Sequence, residues 1–177
     1  MQTLFISTGC DYISYFKTLG KATILNTFFQ YSQFISGMPG SLHHTNIRSK
    51  ENGFLSFMRL VGTCYFKKHL ATFIAIKGYE TPFHLYNSLD TSLSNREKHE
   101  VWLQEIRKIV SERILSEEER LPSITSLWRH KLRSCWVSQM WQNSSEQDIY
   151  TPLPLPEESG WTKSDGCYAI DWEAPEI

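Results

Sequence analysis

The chain has no Cys-x-x-Cys pair, its four cysteines Cys10, Cys64, Cys135 and Cys167 standing far apart. That spacing excludes a zinc-ribbon type site and a disulfide frame, and predicts the reduced thiols of an intracellular protein. Six histidines do not restore the zinc case, because His43 and His44 lie in a Gly/Ser/Asn-rich loop and none stands at ligand spacing from a cysteine. No apolar run approaches the roughly eighteen residues that cross a bilayer, and no basic stretch precedes the apolar start. No membrane partner is expected, and a nuclear or cytoplasmic location is. A net charge of −1 gives the whole molecule no polyanion-binding signature.

What is present is a core and a polarity. Over 177 residues, 41% hydrophobic and 14% aromatic content suffice for one ordinary domain and exclude disorder throughout. Through Lys77, eight Lys or Arg face two acids, Asp11 and Glu51, a net +6; from Gly78 onward ten bases face seventeen acids, a net −7. A phosphate backbone would therefore be met by the first half.

Within that half, Leu4-Phe5-Ile6 runs to Gly9, where a helix or strand can stop because glycine tolerates positive φ. Asp11 follows, and Gly20 then opens an amphipathic segment whose first residue is Lys21. Free backbone N–H groups at a helix start attract phosphate, and a lysine strengthens the attraction. The alternative for Gly9-Cys10-Asp11 is a C-cap followed by an N-cap, with Asp11 accepting from the first N–H groups of the next helix.

Gly9-Cys10-Asp11-Tyr12 followed by Leu19-Gly20-Lys21-Ala22 resembles the LGCDY…GIGPKxA segment of flap endonucleases and related PIN-type 5′ nucleases. It is more similar still to the TGCDT…GKGK segment of a transposon-associated animal family related to those nucleases. The Pro after the second Gly of the nuclease motif is missing, and Lys17-Thr18 replaces its first Gly. The resemblance implies a helix-two-turn-helix segment, over 1–37, that grips duplex phosphates through Lys17, Thr18, Gly20 and Lys21. It also implies that Asp11 is a late carboxylate of a catalytic site binding Mg²⁺ or Mn²⁺. Two-metal hydrolysis needs several converging carboxylates. Most of that acidic cluster is expected in an upstream nuclease half, so the chain alone is not expected to be an active enzyme.

Further along, apolar spacing predicts a helix over 21–36, ended by Gly37-Met38-Pro39-Gly40, and a mobile loop to Gly53. A helix follows over 54–76, interrupted at Gly62. Tyr65, Phe66, Lys67 and Lys68 read either as a single-strand stacking surface or as a core stripe beside solvated lysines. Residues 78–82 form a turn and 88–94 a polar linker; Ser94 or Asn95 caps a helix over 96–115 with Glu97 in its first turn. The last helix, over 124–142, has Leu127, Trp128, Leu132, Cys135, Trp136, Met140 and Trp141 on one face and Arg129, His130, Lys131 and Arg133 on the other. Pro152, Pro154 and Pro156 make an extended tail, read either as docking across the chain's own helices or as a strip that recruits a partner module. Asp165-Gly166 between aromatic alternating runs signals a hairpin. The set Leu121-Pro122, Leu127, His130, Trp141, Pro152-Leu153-Pro154 and Gly160-Trp161 resembles the C-terminal signature of the same transposon-associated family.

The expected architecture is mainly α: a helix-turn-helix start over 1–37, a helical region over 38–143, and a Pro-rich tail with a hairpin over 144–177. The expected function is nucleic-acid binding, with DNA and an upstream nuclease half or another protein as partners. The alternative is a helical protein-interaction module with no nucleic-acid role.

Overall fold

The computed structural model describes residues 2–11, 13–38, 47–113, 116–144 and 159–171. The fold is mainly helical and closes with a two-stranded antiparallel hairpin. In chain order the helices are α1 (Gln2–Ser7), α2 (Lys21–Gln30), α3 (Ser32–Ser36), α4 (Ile47–Lys68), α5 (Leu70–Lys77), α6 (Pro82–Ser88), α7 (Asn95–Ser111) and α8 (Ile124–Asn143). The strands are β1 (Trp161–Ser164) and β2 (Cys167–Ile170).

Helix α4 is the hub, packing on α2, α3, α6, α7 and α8. Its Phe54, Phe57, Met58, Leu60, Val61, Tyr65 and Phe66 are all buried, so aromatic residues face neighbours on several sides. The start of α4 at Ile47 corrects the loop expected as far as Gly53; positions 39–46 lie outside the described residues. Gly62 does not interrupt α4. A Cβ there would lie 2.5 Å from a ring carbon of Trp102 and 3.0 Å from Leu103 Cδ1, so the glycine lets α7 approach closely. The break falls instead at His69, whose φ of −112° ends α4 and starts α5. Phe66 and Phe73 stack across it with centroids 4.2 Å apart.

The helix expected over 21–36 is likewise two helices, divided at Tyr31. Helix α6 was not foreseen, yet its signal is local: the Thr81 side chain accepts the His84 N–H, and Pro82 takes the first turn. Helix α7 starts where expected, with a reciprocal capping box between Ser94 and Glu97.

Between α3, α4, α6 and α7 lies a buried polar knot. Arg59, fully buried, donates to the Ile35 carbonyl from Nε (3.1 Å) and Nη2 (2.9 Å), to Ser56 Oγ (3.0 Å) and to His99 Nε2 (2.6 Å). His99 therefore carries its proton on Nδ1, which donates to the Asn95 carbonyl at 2.6 Å. Burial lowers Arg59 to about 10 and His99 to about 4.

Helix α8 departs from the expected two faces. His130, Lys131 and Arg133 are buried along with Leu127, Leu132 and Trp136, because α1 packs on α8 as well as α4. Trp141 is partly exposed. The hairpin closes through Asp165 (φ 50°) and Gly166 (φ 80°), the positive pair of a type I′ turn. It docks by placing Trp161 and Tyr168 against Trp136, at 5.7 and 5.0 Å between centroids. The proline-rich strip 152–156 lies outside the described residues.

Candidate nucleic-acid interface

Helix α1 ends at a turn that only glycine permits. Gly9 has φ of +109°, and a Cβ there would fall 2.5–2.9 Å from Tyr15. Cys10 and Ile13 then exchange two backbone hydrogen bonds of 2.9 and 3.1 Å, and Asp11 sits exposed in the turn that follows Cys10. Asp11 is thus not a helix cap, since the following helix begins at Lys21 with Gly20 in the N-cap position.

Residues 16–19 make a second turn, in which the Leu19 N–H reaches the Phe16 carbonyl at 3.1 Å. Phe16 and Leu19 drop into the main core while Lys17 stays exposed and Thr18 half-buried. Gly20 has ordinary extended dihedrals (φ −68°, ψ 154°), and a Cβ on it would meet nothing within 4 Å. Close approach of the protein's own backbone does not demand glycine there. Its consequence is chemical: glycine brings no side chain to cap α2, and the first N–H groups of a helix have no intrahelical acceptor.

The Lys21 ammonium lies 3.4 Å from the Phe5 ring centroid and 5.8 Å from that of Tyr15. Phe5 is 44% and Tyr15 60% exposed. The start of α2 therefore carries an aromatic pair with a cation between them, flanked by Lys17. Reading the sequence singled out Lys17, Thr18, Gly20 and Lys21 but neither aromatic. Phe5 could have been found as the residue facing away from Leu4 and Ile6 on a short helix, whereas Tyr15 has no local signal.

No protein-family model, no curated protein and no solved structure matches this chain.

Asp11 is not joined by a metal-binding set: among the described residues, no group of three or more His, Cys, Asp or Glu side chains could hold an ion. The residues described do not by themselves fit Mg²⁺ or Mn²⁺. His130 also has a structural place. Its Nε2 donates to the Ser7 carbonyl at the end of α1 (2.8 Å), its ring lies parallel to Phe57 with centroids 5.6 Å apart, and burial lowers it to about 4.

The charge asymmetry of the sequence overstates the surface. Arg59, one of the eight bases of the first half, is inside the protein, and Lys67 is engaged with Gln30 Oε1 at 2.6 Å. The rings of Tyr65 and Phe66 are buried, so they form core and not a stacking surface. A further concavity of about 410 Å³ lies between α8 and the hairpin, lined by Trp136, Met140, Trp141, Trp161 and Tyr168 among others. Its described lining carries no charged side chain, so it offers nothing to phosphate.

Proposed function

We propose that the chain is a nuclease-derived nucleic-acid-binding region that holds duplex phosphates at the start of α2. Asp11 is the remnant of a metal-site carboxylate, completed only by an upstream acidic half. The observation that carries this reading is the uncapped start of α2 at Gly20, bearing Lys21 beside Lys17. A phosphate seated there accepts from backbone N–H groups and gains from the helix dipole. The ammonium must share or leave its place on Phe5. A cation–π contact at an exposed site is worth about 0.5–1 kcal/mol, less than the roughly 1.5–3 kcal/mol of a hydrogen bond to a charged group, so phosphate wins.

Fluorescence anisotropy with flapped and blunt duplex DNA at two salt concentrations tests this. Binding should weaken steeply with salt, and Lys21→Glu should weaken it for all sequences alike, lowering the slope of log affinity against log salt by about one. Salt-independent binding, or none, overturns the reading. With Mg²⁺ or Mn²⁺ and a flapped duplex, the chain alone should leave the DNA intact. Cleavage that Asp11→Asn abolishes would show instead a working centre.

A second reading is favoured by the exposed Ile74 and Ile76 of α5 and Phe83 of α6, at 43–49% exposure. Exposed large apolar side chains on these two helices are available for docking to another protein. Loss of DNA binding together with a partner that Phe83→Glu releases would select this module.

A further inference from the structure

We propose that the surface beside the start of α2 takes an unpaired nucleotide, with its base stacked on the Tyr15 ring and its phosphate on the Lys21 ammonium. This rests on the phosphate-binding reading above and adds to it the kind of nucleic acid, a duplex that carries a single-stranded overhang or flap. Tyr15 is the feature that a purely duplex site leaves unused. Its ring rests against Gly9, where a Cβ would fall 2.5 Å from its Cδ1 and 2.7 Å from its Cγ, and the residue is nonetheless 60% exposed. The glycine gives the ring a seat and leaves it open to solvent.

Phe5 and Tyr15 play different parts. The Lys21 ammonium lies 3.4 Å from the Phe5 centroid, in the place a stacked base would take, but 5.8 Å from that of Tyr15. Phe5 therefore holds the cation, and Tyr15 is the ring left for a base. An aromatic face beside a cation binds single strands without sequence preference, since every base has a π-face and every nucleotide a phosphate. Inside a duplex the faces of each base are covered by its neighbours, so a stacking ring gains nothing there. An unpaired nucleotide offers a free face and a phosphate one sugar away, which matches a ring and an ammonium a few ångström apart. Tyr65 and Phe66, which also stand beside lysines in sequence, are buried and cannot serve.

The test compares, by anisotropy, a blunt duplex with the same duplex carrying a short thymidine overhang. The overhang should raise affinity by about tenfold. Tyr15→Leu should remove that advantage and leave blunt-duplex affinity unchanged, whereas Tyr15→Phe should keep it, because the ring and not the hydroxyl stacks. A fluorescent purine analogue placed in the overhang should be quenched on binding the wild type and not on binding Tyr15→Leu. Equal affinity for the two DNAs, or an overhang advantage that Tyr15→Leu retains, overturns this inference; blunt-duplex binding that Lys21→Glu weakens would then leave the phosphate-binding reading standing. Loss of both DNAs in Tyr15→Leu would make the ring a structural part and overturn the inference as well. If the wild type binds neither DNA, both readings fall.

Discussion

Gly62 illustrates how one residue can be misread by type and explained by contact. In an isolated helix a glycine costs about 1 kcal/mol relative to alanine, so it reads as a weak point. Here its missing Cβ is the space that Trp102 fills, and Trp102 is itself anchored by an Nε1 hydrogen bond to the Pro82 carbonyl at 3.1 Å. Gly62→Ala gains the helix propensity but must push back a buried indole, and overpacking costs about 1–3 kcal/mol. The expected result is a net loss of about 1–2 kcal/mol in urea unfolding; a stabilised variant would contradict the close approach of α4 and α7. Arg59 makes the same point about charge. From sequence it counts towards a basic face, yet in the fold it serves the Ile35 carbonyl at the end of α3.

At the scale of elements, the uncapped start of α2 separates stability from binding. Gly20 already has the dihedrals of an N-cap and open space for a side chain. Gly20→Asp should therefore stabilise the protein by a few tenths of a kcal/mol or more, by capping α2 and complementing its dipole. The same carboxylate occupies the N–H groups a phosphate would use and repels it. DNA affinity in the anisotropy titration should fall while the melting temperature rises; unchanged affinity would place the phosphate elsewhere. The elements most legible in sequence were those with their own caps or turns, α7 through Ser94 and Glu97 and the hairpin through Asp165-Gly166. The missed α6 had such a signal at Thr81-Pro82. By contrast, the breaks at Tyr31 and His69 follow no Gly or Pro. At His69, the break accompanies the stacking of Phe66 on Phe73.

For the whole molecule, two buried histidines set the response to acid. His99 and His130 are neutral in the fold at neutral pH, lowered from 6.5 to about 4 by burial. In the unfolded chain they protonate near 6.5, so between about 6.5 and 4 the unfolded state binds more protons. Stability is fully present above that window and falls as pH drops through it, by up to about 1.4 kcal/mol per pH unit for each histidine. Urea unfolding should show a clear loss on going from neutral pH to about pH 5, partly flattened in His99→Gln. A pH-independent midpoint would mean that neither ring is desolvated as described.

The sequence by itself determined the helical class, the C-terminal hairpin, the capped start of α7 and the start of α2 at Lys21, because each rests on periodicity or on groups a few residues apart. It also carried the motif residues Asp11, Lys17, Thr18, Gly20 and Lys21 that motivate the nucleic-acid reading. Only the tertiary structure decided that Asp11 sits on a turn without companion ligands among the described residues, and that Phe5 and Tyr15 frame Lys21. It likewise decided that His130, Lys131 and Arg133 are inside. Helix α8 is covered by α1 on one side and α4 on another, and burial depends on which distant elements arrive, a quantity that helical periodicity along one segment does not contain.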